Sequence, residues 1–128
     1  MIVRRLEDIV GTDRDVCAPT FTSRRLLLAG DDVGFSLHDT VLPAGTETHM
    51  WYRNHVEAVY CIEGSAELED VDNRTTYAIV PGTLYTLDGH EHHVLRVHAD
   101  FRALCVFTPA LTGQEVHDED GTYPLVET

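Results

Sequence analysis

Turn residues interrupt this chain at roughly 8–12-residue spacing, and the short runs between them favour strands over helices. Residues 24–29 run into Gly30-Asp31-Asp32. Residues 34–42 alternate, with Phe35, Leu37 and Val41 on one face and Ser36, His38 and Thr40 on the other, before Pro43-Ala44-Gly45 breaks the run. Residues 56–62 alternate as well: Val56, Ala58, Tyr60 and Ile62 oppose His55, Glu57, Val59 and Cys61. Residues 66–69 and 75–80 flank an Asp72-Asn73 turn as a hairpin, and residues 84–87, 92–97 and 101–108 complete the set. A helical pattern is confined to residues 6–10, closed by Gly11. The series predicts an all-β antiparallel sandwich or small barrel.

At 128 residues the chain is expected to form one domain, 1–128, with a core that needs neither disulfide nor structural metal. Its 9 basic residues, all Arg, stand against 22 acidic ones, a net charge of −13. That balance argues against a nucleic-acid partner and against an anionic membrane surface, since both require a cationic face. No apolar run approaches the ~20 residues of a membrane span. Acidic residues at Glu7 and Asp8 arrive before the apolar stretch of a signal peptide. Cys17, Cys61 and Cys105 show no CxxC spacing, so reduced cysteines in a cytoplasmic protein are expected. After Pro109 the chain turns polar and loses any strand pattern.

Strand geometry places chemistry among apolar neighbours. Glu57 shares a face with Val59 and Cys61, His93 with Leu95 and Val97, and Cys105 with Phe101, Ala103 and Phe107. A lone buried carboxylate or imidazole is costly. Such groups are therefore paired, bound to a metal, or on faces open to water, and the last is the commoner state of a single Glu or His.

The punctuation around these residues resembles the cupin motifs. Gly45, Glu57 and Gly64 keep the spacing of the first motif, while Trp51 and Arg53 occupy its two histidine positions. Gly82 and His93 keep the spacing of the second, with Asp88, His90 and Val97 replacing its Pro, Gly and Asn. The resemblance implies an all-β, cupin-type antiparallel β-barrel (jelly roll) with few short helices. It also implies a specialised branch, because the frame survives while two of the usual ligands are gone.

Residues 46–64, including His49, Trp51, Tyr52, Asn54, His55 and Glu57, closely resemble the ectoine synthase family. So do residues 22–28, 81–88 and 111–121, and the likeness runs in order along nearly the whole chain. It implies a cytoplasmic lyase that closes a ring in N-γ-acetyl-L-2,4-diaminobutyrate and expels water to give the compatible solute ectoine. Family members are cupin barrels, usually homodimers, with a catalytic iron. Carried onto this chain, the metal ligands are Glu57, Tyr85 and His93. Two oxygens and an imidazole nitrogen suit Fe(II), or another first-row divalent metal, and leave coordination positions open.

The same resemblance makes Arg24, Thr40, Tyr52, Cys105 and Phe107 substrate-binding residues and puts Glu115 and His117 near the pocket as candidate proton shuttles. Arg24 is expected to take the substrate carboxylate, because a guanidinium binds it bidentately. Arg25 alternates to the opposite face and is expected to be a surface charge. Phe21 and His38 stand where the family commonly has Trp and a smaller polar residue such as Asn. Two further readings compete: an iron-dependent cupin dioxygenase, disfavoured by the missing His-x-His pair, and a non-catalytic cupin that binds a small amino-acid derivative.

Overall fold

The computed structural model describes residues 1–125; positions 126–128 of the expected domain lie outside the described residues. A four-residue helix, α1 (Leu6–Ile9), precedes eight strands: β1 (Asp15–Cys17), β2 (Thr22–Leu27), β3 (Ser36–Leu42), β4 (Glu47–Trp51), β5 (Val56–Asp70), β6 (Thr75–Ile79), β7 (Leu84–Leu87) and β8 (His92–Thr108). The sheet order is β1-β2-β3-β8-β5-β6, with β4 attached to β8 and β7 to β5. Every pairing is antiparallel. The all-β antiparallel architecture is as expected, although the sheet does not close on itself among the described residues.

Two long strands organise everything else. The first half of β5 lies between β7 and the second half of β8, so that Glu57 faces Leu87 on one side and Phe107 on the other. Its second half lies between β6 and the first half of β8, where Ala66 faces Ile79 and Val97. Register shifts between Cys61 and Ala66 bend the strand at the junction. Gly64 sits in that bend at φ 88°, and a Cβ there would stand 2.1 Å from the Asp100 carbonyl oxygen. Only glycine allows the two long strands to approach so closely.

Where separate runs 56–62 and 66–69 were expected, one strand is observed, and 92–97 joins 101–108 in the same way. Two strands carry no clear signal of their own. β1 has only three residues, and β4 alternates exposed Glu47 and His49 with buried Thr48 and Met50 beside the motif glycine. On β3 the polar face turns inward: Ser36, His38 and Thr40 are buried while Leu37 and Val41 are half-exposed.

The segment after β8 has no strand, yet it completes the core. Leu111 and Tyr123 join the central apolar cluster. Ala29 N–H donates to Leu111 O at 2.8 Å, and Trp51 N–H to Gly121 O at 3.0 Å. Arg53 N–H and the Asn54 amide donate to Thr122 Oγ1 and Tyr123 O at 3.1 and 2.9 Å. Gly121 belongs to this fastening: at φ 74°, a Cβ would stand 2.2 Å from His49 O. No helix among the described residues is long and apolar enough to cross a membrane.

Candidate active site

Among the core residues lies a small cavity of about 40 Å³. Thr40 from β3, Glu57 from β5, Tyr85 from β7, Cys105 and Phe107 from β8, and Tyr52 from the β4–β5 loop all line it. The remaining candidates attach from outside. His117 reaches the cavity wall through Tyr52, whose hydroxyl lies 2.8 Å from His117 Nε2. The His93 ring is 5.6 Å from the ring of Tyr52. Tyr85 also borders a groove between the β6 and β7 edges, which it shares with His93 and Glu91.

The electrostatics of this cluster are unusual. Glu57 is buried, and desolvation lifts its carboxyl to about 8, the neighbouring Cys105 thiol offsetting only part of the rise. Burial, then the Glu57 charge, pushes the Tyr52 and Tyr85 phenols well above their ordinary value. The Cys105 thiol rises for the same two reasons. His93 is buried and its imidazole is pushed down by desolvation. Its Nδ1–H donates to Glu91 O at 3.0 Å, which leaves Nε2 as a bare acceptor, and that atom is buried with no hydrogen-bond partner. Burial, together with the nearby His93 and Arg25, lowers His117 to about 4. The Tyr52 hydroxyl stands between His117 Nε2 and Met50 Sδ, 3.3 Å from the sulfur.

The two neighbouring arginines are placed opposite to expectation. Arg24 points to the outer face, where its Nε donates to Asp39 O at 2.9 Å and its Nη2 pairs with the Asp39 carboxylate. Arg102 binds the same carboxylate, with Nη2 2.7 Å from Oδ2. Arg25, expected on the surface, is 0% exposed. Its donors reach Ser23 Oγ at 3.2 Å and the Gly113 and Glu115 carbonyls at 2.7 Å each. The reversal arises because the C-terminal segment covers the face that carries Arg25 and supplies carbonyls to its guanidinium.

Glu115 is likewise committed. Its two carboxylate oxygens accept the backbone N–H groups of Thr112 and Gly113 at 2.7 Å each. Burial pushes this carboxyl up, but the two amides more than offset it, so Glu115 stays below its ordinary value. The group is an ionised anchor for the tail.

Sequence reasoning left several wall residues without a role. Tyr123 lines the cavity, stacked on Tyr52 with ring centroids 5.3 Å apart and an 8° angle between planes. Phe21 also lines it and packs on His117 at 5.0 Å. His38 is held between Ser23 Oγ and Ser36 Oγ, 3.0 Å from each. The family resemblance marks Phe21 and His38 as departures, whereas nothing local marks Tyr123.

A jelly-roll sheet with its polar residues gathered inside is the architecture of a cupin. The cupin domain of Schizosaccharomyces pombe Cnp3 superposes with a TM-score of 0.60 at 13% identity, covering 70% of this chain and 64% of that one. Within that class the sequence is specific. The ectoine synthase family model matches residues 1–127. The L-ectoine synthase of Thermobifida fusca is 61% identical over 98% of this chain and 94% of its own. The crystal structure of ectoine synthase from P. lautus superposes with a TM-score of 0.89 at 58% identity, covering 100% of this chain and 92% of that one. The chain belongs to the ectoine synthase family and is an enzyme of the lyase class.

Proposed function

We propose that the protein converts N-γ-acetyl-L-2,4-diaminobutyrate into ectoine with the help of a divalent metal, preferably Fe(II). In this ring closure the α-amine attacks the acetamide carbonyl carbon and a C–N bond forms. The carbonyl oxygen departs as water, with two protons that leave nitrogen. The reading is carried by two buried groups on either side of Tyr85: a Glu57 carboxyl lifted to about 8 in the cavity wall and a His93 Nε2 without a partner in the adjoining groove.

Both features are defects in a bare protein and assets beside a cation. A bound metal would stabilise the Glu57 carboxylate and take the Nε2 lone pair, while the Glu91 carbonyl on Nδ1 holds the ring in that tautomer. The described residues contain no group of three His, Cys, Asp or Glu side chains arranged to hold a metal; the family resemblance makes the Tyr85 phenol the third protein ligand, and Tyr85 borders both the cavity that Glu57 lines and the groove that His93 lines. The donor set fits Fe(II), and such an ion supplies Lewis acidity toward a carbonyl oxygen.

The chain's own residues do the rest. Arg25 would take the place of Arg24 as the anchor for the substrate carboxylate, because it is the buried guanidinium, 5.7 Å from the ring of the cavity residue Tyr123, and its hydrogen bonds go only to neutral acceptors. Thr40 and Cys105 offer polar contacts to the acetamide and amine within the cavity. Phe107, edge-on to Tyr52 at 5.1 Å, excludes water, and the tight walls hold amine and carbonyl together. The Tyr52–His117 pair keeps one exchangeable proton at the wall. Glu115 fixes the tail that carries His117. The free thiols of Cys17, Cys61 and Cys105 suit a reducing cytoplasm, where a compatible solute is made.

The test is direct. Purified, iron-loaded protein incubated with N-γ-acetyl-L-2,4-diaminobutyrate should yield ectoine, followed by proton NMR as the acetamide methyl signal gives way to that of the ring methyl. Binding without turnover would leave a cupin that only carries the compound. Oxygen uptake during the reaction would instead indicate a dioxygenase.

A further inference from the structure

Outside the central cavity, the groove between the edges of β6 and β7 contains two buried polar atoms that lack a hydrogen-bond partner, His93 Nε2 and Glu91 Oε2. The groove holds about 330 Å³. Buried Leu68 and Ile79 give it an apolar wall, while Asp70, Glu91, Tyr85 and His93 supply the polar groups. No Arg lines it among the described residues. Asp70 stands opposite His93 in the β5–β8 ladder, so the two side chains share one face. Asp70 and Glu91 are half-buried, whereas His93 and Glu57 are buried. Carboxylates therefore stand at the water's edge and the imidazole stands inside.

Fastening the turn before β8 explains only half of Glu91. Its Oε1 accepts the Gly89 N–H at 2.8 Å, and its main-chain carbonyl takes the His93 Nδ1–H at 3.0 Å. Glutamine would accept from Gly89 through the same oxygen without bringing a charge. A carboxylate oxygen shielded from water and given no donor is costly, and a cation is the ligand that offsets the cost. The wall beyond points the same way. Tyr85 borders this groove and also the cavity that Glu57 lines. A cation entering between β6 and β7 meets Asp70 and Glu91 before it meets Tyr85, His93 and Glu57.

We propose that this groove is the route by which a divalent cation reaches its ligands, with Asp70 and Glu91 as transient carboxylate contacts that replace part of its water shell on the way in. The inference rests on the metal-assisted reading and adds a loading path to it. Carboxylates suit the task because they bind divalent cations through oxygen. A cleft lined by one sign of charge also concentrates the opposite ion and speeds its arrival.

Glu91→Gln is the informative variant, because it keeps the oxygen that holds Gly89 and removes the charge. Metal-free protein is mixed rapidly with Co(II), uptake is followed by the visible absorption of the bound ion, and elemental analysis gives the final content. Glu91→Gln should take up Co(II) about tenfold more slowly than the parent, reach the same final content, and melt within about 2 °C of it. Adding Asp70→Asn should slow uptake further. Added salt should slow the parent more than the double variant. Glu7→Gln, the same change of charge on exposed α1, should load at the parent's rate. Parental uptake by the double variant would overturn the route while leaving the metal reading intact, and so would equal slowing by Glu7→Gln, which would assign the effect to net charge. A lower final content in Glu91→Gln would also overturn it, by making Glu91 part of the holding site. If the parent takes up no metal, the metal reading falls and the route falls with it.

Discussion

The Tyr52 hydroxyl and His117 Nε2 share a hydrogen bond across 2.8 Å, and this one bond joins the β4–β5 loop to a segment 65 residues further along the chain. It links a cavity wall to the tail that closes over it. Tyr52→Phe keeps the stacking on Tyr123 and removes the hydroxyl. The variant should lose about 1 kcal/mol of stability and at least tenfold in kcat, because the wall proton disappears with the hydroxyl. Thermal melts alongside steady-state kinetics check both; wild-type kcat would show that the pair is only a fastener.

Arg24 and Arg25 provide the sharpest contrast. Arg25→Ala removes the inward cation and should raise KM by one to two orders of magnitude, as expected for a bidentate charge-assisted contact. Arg24→Ala should leave both kinetic constants near wild type. It leaves the buried Asp39 carboxylate with Arg102 alone, at a cost of about 1–3 kcal/mol in stability. Kinetics and urea unfolding of the two variants decide the assignment. A catalytic defect in Arg24→Ala at wild-type stability would restore it as the carboxylate partner.

How far the sequence reaches is visible in these same residues. Alternation correctly puts Glu57, Val59 and Cys61 on one face and Cys105 with Phe107 on another, because a two-residue period is a local property. The same alternation separates Arg24 from Arg25 but cannot say which is inside. That choice is made by the Gly113 and Glu115 carbonyls, 88 and 90 residues away. Tyr123 is invisible for the same reason, since its aromatic partners come from remote elements. The bends at Gly64 and near Asp100 read as turns between separate strands, whereas they are corners within continuous ones. Tyr85 enters the ligand set through family resemblance, and no spacing rule would have singled it out.

Metal content should follow Glu57 and His93. Glu57→Ala and His93→Ala are each expected to lose iron and turnover together, while Arg25→Ala retains iron. Strong chelation of the parent should abolish activity, and Fe(II) should restore it better than other divalent ions. Elemental analysis beside each assay is the measurement. Iron retained at full stoichiometry by Glu57→Ala would move the ligand site elsewhere.

A homodimer is expected in solution. Tyr60 and Leu84 face each other across β5 and β7 and are 48% and 63% exposed, an apolar pair beside the free edge of β7. Light scattering should give about twice the 14.3 kDa of one chain. Replacing both residues with Glu should shift the mass toward that of the monomer. A monomeric parent across working concentrations would remove the expectation.

Acid should destabilise the fold from near neutrality, and His38 is a principal cause. Burial lowers its imidazole well below the ordinary 6.5, and the Arg25 cation and His55 lower it further. Ser23 and Ser36 hold both ring nitrogens, and Phe107 packs on the ring at 5.2 Å. Above pH 6.5 the imidazole is neutral in both folded and unfolded chains, and its full contribution to stability is present. Below that value the unfolded chain takes up a proton that the folded one refuses, so stability falls as pH falls. The slope approaches about 1.4 kcal/mol per pH unit for one such group. His55, His93 and His117 are lowered as well, in each case chiefly by burial, so their slopes add. His38→Asn keeps a polar group between the two serines and removes one titrating site. Its stability should therefore fall less steeply than that of the parent between pH 6.5 and 5, measured by urea unfolding at half-unit steps with Trp51 fluorescence. Identical slopes would mean that His38 is protonated in the folded chain, with both ring nitrogens donating to the serine hydroxyls.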